Sequence, residues 1–141
     1  MPLKILTYPD ERLRVVCRPD FIIEGDIIQE MFYLMEEHGG LGLAAPQVGI
    51  DARLFVTHWG EVFINPQITQ RSCKMLVSEG CLSLPHRQGT LWRYNEVEVT
   101  GRVYVGEQAF VIQHECDHLD GKLIISFETI RAGDDIRESY Q

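Results

Sequence analysis

The sequence predicts an α+β fold in which short antiparallel sheets pack around one central helix. Two segments, 26–38 and 107–119, carry apolar residues at the three- to four-residue spacing of a helix. Around them lie short apolar or alternating segments joined by turn residues, which is typical of strands. The chain has 141 residues, 45% of them hydrophobic and 24% charged, which fits a single domain over residues 1–141.

The predicted elements follow in chain order. Residues 5–18 should be extended or irregular, because Pro9 and Pro19 interrupt that part of the chain. The first helix is expected to begin after an N-cap at Asp26 and to end at the glycine pair 39–40. Beyond it we expect irregular structure at 40–49, strands at 53–58, 61–64, 74–77 and 96–105, the second helix at 107–119, a final strand at 123–127 and a loose polar tail at 129–141.

Charge and hydropathy exclude several classes of protein. The chain has 13 Lys and Arg residues against 21 Asp and Glu residues, a net charge of −8, which disfavours binding to DNA. No apolar run approaches the ~20 residues needed to cross a bilayer, and the start of the chain lacks the pattern of a signal peptide. We therefore expect a cytoplasmic protein without membrane association. In that reducing compartment free thiols or metal thiolates are favoured over disulfides at Cys17, Cys73, Cys81 and Cys116.

The strongest chemical signal is the sequence His-Glu-Cys-Asp-His at 114–118. Histidines four residues apart on a helix differ by ~40° around its axis, so both imidazoles can face one metal ion. Glu115 lies beside that face and could act as general base toward a metal-bound water. A hydrolytic metal site usually has three protein ligands. The residues alone leave the third ligand open between Glu128, downstream, and Cys81, in a loop bounded by glycine and proline.

Three segments together resemble the signature motifs of peptide deformylase, in the same order. They are 40–47 (GLGLAAPQ), 79–83 (EGCLS) and 113–118 (QHECDH), and residues 5–14 also resemble the start of that family. The resemblance extends over roughly residues 4–127. It implies a metal-dependent hydrolase that removes the N-formyl group from the initiator formyl-methionine of nascent polypeptides and releases formate.

The resemblance also implies a metal centre and its catalytic groups. One divalent ion per chain is expected, Fe²⁺ natively, with Zn²⁺, Ni²⁺ and Co²⁺ as alternatives. Glu115 would accept and return the proton, while Gln47 and the backbone N–H of Leu82 would hold the oxyanion. The resemblance also implies an ion pair between Glu79 and Arg93 that braces the loop carrying Cys81. The metal ligands implied by the resemblance are Cys81, His114 and His118.

Methionine specificity requires an apolar slot beside the metal. Phe110 and Val111 precede His114 by four and three residues, which places them on or near the metal-facing side of the helix. The predicted substrate-binding residues are Leu41, Gly42, Val77, Gly80, Phe110 and Val111. The partners expected are N-formyl-methionyl peptides and nascent chains, with transient ribosome contact, and we expect a monomer.

Two other interpretations remain at this point. A zinc endopeptidase using Glu128 as third ligand would leave Gln47 and the Cys81 loop without a role. A formyl-peptide-binding module without turnover would not need Glu115. The chain also departs from the family pattern, because the segment between Arg93 and the motif helix is short and the polar C-terminus is trimmed, which is compatible with a phage-type member.

Overall fold

The computed structural model describes residues 2–126 and 139–140 of the chain. Both predicted helices are present, as α1 (Ile27–Glu37) and α2 (Glu107–Leu119). Asp26 occupies the N-cap position of α1, but its side chain makes no capping hydrogen bond. Among the described residues, neither helix has the length and apolarity needed to cross a membrane.

The first sheet has three antiparallel strands in the order β1-β2-β3. They are β1 (Gly42–Ala44), β2 (Leu54–Thr57) and β3 (Val62–Ile64). The strands predicted at 53–58 and 61–64 are thereby confirmed. Irregular structure at 40–49 was the wrong expectation, because residues 42–44 pair with β2 and a 3-10 turn, Ala45–Val48, follows directly.

The second sheet has four strands in the order β6-β5-β4-β7. They are β4 (Ile68–Cys81), β5 (Leu84–Val99), β6 (Arg102–Val105) and β7 (Ser139–Tyr140), and all neighbours are antiparallel except β4 and β7. The prediction of one strand over 96–105 was wrong, because Thr100 and Gly101 adopt φ angles of 50° and 78° and turn the chain into a hairpin. β4 is much longer than the predicted 74–77. The prediction was too short because the first half of the strand is largely exposed and polar, and so shows no apolar pattern.

The prediction of a strand at 123–127 was also wrong. A 3-10 turn, Ile124–Ser126, lies there instead, and it buries Leu123 and Ile124 in the core. Most of the predicted tail at 129–141 lies outside the described residues. Within it, Ser139 and Tyr140 pair in parallel with Ser78 and Glu79 of β4.

Helix α2 is buried on two sides, which confirms its central place in the fold. Phe110 packs into a cluster with residues of β4 and β5, including Val77 and Leu91. Ala109 and Ile112 pack into a second cluster with residues of both sheets. A third cluster joins α1 to the first sheet. The motif on α2 is therefore held between the two sheets.

Candidate metal centre and active site

Three potential metal ligands converge between α2 and the end of β4. The ligand atoms of Cys81, His114 and His118 all lie within 4.8 Å of one another. The Nε2 atoms of His114 and His118 are 3.2 Å apart, and Cys81 Sγ is 3.4 Å from His118 Nε2. Donor atoms around a tetrahedral ion with bonds of ~2.0–2.3 Å lie roughly 3.3–3.7 Å apart. The observed spacing therefore fits one divalent ion bound by a thiolate and two imidazoles.

The two sides of this centre come from different parts of the chain. Helix α2 places both histidines on one face because they are one turn apart. Cys81 is the last residue of β4, where the β4–β5 register shifts: Gly80 pairs with Gln88, whereas Cys81 pairs with Leu84. This shift produces a tight two-residue turn that presents the Cys81 thiol toward the helix.

A buried ion-pair network fixes the orientation of His114. Arg93 Nε and Nη2 donate to the two carboxylate oxygens of Glu79 at 2.8 Å each, as the resemblance predicted, and Arg93 Nη1 also donates to Asp117. Glu79 Oε1 lies 2.9 Å from His114 Nδ1, so it accepts that N–H and leaves Nε2 to face the other ligands. Burial alone would raise the pKa of Glu79, but the charge and hydrogen bonds of Arg93 bring it down to about 2.

His118 is held as a neutral imidazole. It is 1% exposed, and this burial places its pKa well below the usual value of 6.5. A neutral ring nitrogen is the form that binds a metal ion.

Glu115 is a carboxylate kept out of solvent beside the ligands. It is 3% exposed, and within the described residues its Oε1 has no hydrogen-bond partner. Burial raises its pKa to about 7, which suits a group that must both accept and release a proton near neutrality. Gly42 lies against it, because a Cβ added at Gly42 would be 2.7 Å from Glu115 Oε2.

Gln47 reaches the same place from the 3-10 turn after β1. Its side chain is 1% exposed, and Oε1 accepts a hydrogen bond from the backbone N–H of Ala44 at 2.9 Å. Its Nε2 donates to Ser83 Oγ at 3.1 Å and lies 3.7 Å from Cys81 Sγ. Leu82 directly follows Cys81 in the chain, so its backbone N–H is adjacent to this ligand along the backbone. Gln47 thus places a neutral N–H donor beside the ligand cluster.

The structure brings three of the predicted substrate-binding residues, Val77, Phe110 and Gly80, next to Cys81, either in its core cluster or in the cleft beside it. Val77 and Phe110 are buried in one cluster with Cys81. Leu41 is half-buried directly before Gly42, and Val111 is buried on α2. Beside Cys81 opens a cleft of about 470 Å³, lined by Gly80, Cys81, Leu82, Leu84, Pro85, His86, Arg87, Gln88 and His38.

Sequence reasoning missed two buried side chains near the site. Ser83, which is 0% exposed, bonds Gln47, and Gln113 bonds the backbone of Tyr94. Ser83 belongs to a segment that resembles a family motif, which is the one signal that could have indicated it. Cys116 is partly buried and packs against the second core cluster, and the alternative ligand Glu128 lies outside the described residues.

Comparison with known proteins gives a consistent result. The family described as polypeptide deformylase matches residues 2–129. A peptide deformylase of Hydrogenovibrio crunogenus is 40% identical over 141 residues, covering 87% of this chain and 83% of that relative. One of Baumannia cicadellinicola is 38% identical over 143 residues, covering 89% and 86%. A crystal structure of a peptide deformylase from Legionella pneumophila superposes with a TM-score of 0.82 at 33% identity, covering 92% of this chain and 87% of that one.

Proposed function

The chain belongs to the polypeptide deformylase family, and we propose that Cys81, His114 and His118 hold the divalent ion used in its reaction. The activity is hydrolysis of the N-formyl group from formyl-methionyl peptides, with formate as product. One observation carries the assignment of residues. The three ligand atoms lie within 4.8 Å of one another, Gln47 Nε2 lies 3.7 Å from Cys81 Sγ, and the buried Glu115 directly follows His114 on α2.

Each catalytic role follows from the chemistry of the side chain. A divalent ion bound there supplies a Lewis acid that activates water near neutral pH. Glu115 accepts the proton of the attacking water and gives it to the amine nitrogen when the bond between the formyl carbon and that nitrogen breaks. Gln47 Nε2 and the Leu82 N–H donate to the oxygen of the formyl group as negative charge develops on it. Neither donor titrates, so the stabilisation persists across the working pH range.

The methionine side chain is proposed to enter an apolar slot formed by Val77, Phe110, Val111 and Leu41. Gly42 and Gly80 allow a peptide backbone to approach closely, because they have no side chain on the site side. The donor set of one thiolate and two imidazoles accepts Fe²⁺, Zn²⁺, Ni²⁺ or Co²⁺, and we take Fe²⁺ as the native ion. We further propose a single catalytic domain that works as a monomer on nascent chains in the cytoplasm, with transient ribosome contact.

The test is formate release from a formyl-Met tripeptide by protein purified without oxygen, with metal content measured on the same sample. We expect about one equivalent of metal per chain and rapid release. Cys81→Ser should lose metal or change its preference, whereas Cys116→Ser, a matched change on the far side of α2, should retain it. Glu115→Gln should retain metal and lose turnover.

Three outcomes would contradict the proposal in different ways. A fully metallated protein that releases no formate would favour a formyl-peptide-binding module. Normal metal content and preference in Cys81→Ser would favour a third ligand elsewhere, as in the endopeptidase interpretation. Full activity in Glu115→Gln would remove the general base.

A further inference from the structure

We propose that Ser83 is a positioning residue for Gln47, whose side-chain amide it holds in the orientation that serves the reaction. This inference deepens the proposed function and rests on the role of Gln47 as oxyanion donor. Ser83 lies in the two-residue turn between β4 and β5, 36 residues from Gln47 in sequence. Its side chain is fully buried.

The amide of Gln47 is fixed at both of its ends. The backbone N–H of Ala44 donates to Oε1 at 2.9 Å, which determines which end of the amide carries the oxygen. Ser83 Oγ accepts from Nε2 at 3.1 Å. An amide nitrogen has two hydrogens, so the second hydrogen is directed toward Cys81 Sγ, which lies 3.7 Å away. Ser83 therefore occupies one hydrogen and leaves the other facing the metal ligands.

The N-terminal segment holds these two partners together. The backbone N–H of Leu6 donates to the carbonyl of Gln47 at 2.7 Å. Two residues later, the N–H of Tyr8 donates to the carbonyl of Ser83 at 2.8 Å. One short stretch of backbone, residues 6–8, is thus bonded both to the 3-10 turn that carries Gln47 and to the turn that carries Ser83. The distance between the two side chains is set by the fold and does not depend on their contact alone.

Removing the Ser83 hydroxyl would leave a buried N–H without its acceptor. Because Gln47 is almost inaccessible to water, the amide would then turn toward another acceptor or lose its fixed plane. Either change misdirects the hydrogen that faces the ligands. Loss of one neutral hydrogen bond of this kind corresponds to an effect of about fivefold to tenfold. We expect a fall of that size in kcat, with little change in KM, because Ser83 touches Gln47 and not the substrate.

The experiment compares Ser83→Ala with Ser78→Ala in the metal-loaded protein. Ser78 provides a matched control, because it is a buried serine of the same hairpin whose hydroxyl bonds Gln88 and not Gln47. Both changes are also made in a Gln47→Ala background. Ser83→Ala should lower kcat in the normal background and have no effect once Gln47 is absent. Ser83→Thr, which keeps the hydroxyl, should restore kcat.

The outcomes separate this inference from the function on which it rests. If Gln47→Ala leaves kcat unchanged, the oxyanion role of Gln47 fails. If Gln47→Ala lowers kcat but Ser83→Ala does not, or if Ser83→Ala lowers it equally without Gln47, only the positioning role of Ser83 is refuted. NMR of the unmodified protein gives a second measurement in case Ser83→Ala does not fold. The Gln47 amide protons should exchange slowly and show NOEs to the Ser83 β-protons, and rapid exchange without these NOEs would overturn the inference.

Discussion

Replacing Gly42 by alanine should displace the carboxylate of Glu115, the proposed general base, with one methyl group. The new Cβ would lie 2.7 Å from Glu115 Oε2 and 3.0 Å from both Cδ and Cγ, whereas ordinary contact begins at 3.4 Å. The carboxyl group must therefore withdraw by about 0.7 Å, and a misplacement near 1 Å costs up to ~10²-fold in rate. Overpacking of this kind destabilises a fold by ~1–3 kcal/mol. We expect kcat for formate release to fall by about one to two orders of magnitude.

Gly40→Ala is the matched control for this prediction. There the added Cβ would meet Leu82 Cδ1 at 2.6 Å, but that atom is the end of a half-buried side chain that can rotate away. The losses of kcat and of stability should therefore be smaller than in Gly42→Ala. The source of the strain is tested by urea unfolding of Gly42→Ala in a Glu115→Ala background. Without the long side chain the loss of stability should disappear. An equal loss in both backgrounds would show that the strain does not come from Glu115, and the reasoning would be refuted.

Four further predictions concern the charges and the apolar slot of the site. Burial raises the pKa of Glu115 to about 7, and a bound cation opposes that shift. The acidic limb of the pH profile of kcat/KM should therefore lie below pH 7, and a limb above pH 7 would contradict this. Glu79→Gln should lower metal affinity about 10- to 100-fold, measured by chelator competition, because His114 loses the carboxylate that orients it. Because the pKa of Glu79 is lowered from 4.5 to about 2, its contribution to the free energy of unfolding is complete above pH 4.5 and is lost as the pH falls through 2. The stability of Glu79→Gln should therefore change less with pH between 4.5 and 2 than that of the unmodified protein. Phe110→Trp should raise KM for formyl-Met peptides, and unchanged kinetics would remove Phe110 from the methionine slot.

Sequence patterns predicted those features that depend on residues close together in the chain. The histidine pair and Glu115 could be found from the sequence because both ligands lie on one turn of α2, whose bounds were also predicted correctly. The length of β4 could not, because its outer half is exposed and shows no apolar alternation. The contact between Ser83 and Gln47 joins segments 36 residues apart, and no periodicity reports such a pairing. Resemblance to a family indicated Cys81 as the third ligand, which the residues alone had left open, and the structure places its thiol with the two histidines.

Helix α2 is attached directly to β5, so the position of the candidate site does not depend on the length of the segment before the helix. Gln113 Oε1 accepts from the backbone N–H of Tyr94 at 2.9 Å, and its Nε2 donates to the Tyr94 carbonyl at 2.7 Å, so this side chain bonds the strand as a neighbouring strand would. The preceding strand residue, Arg93, bonds Asp117 on the next turn of the helix. These two attachments bracket His114 on the helix. The β5–β6 hairpin lies beyond them, with its turn at residues 100–101, so its length changes how far the sheet extends but not where the metal ligands lie.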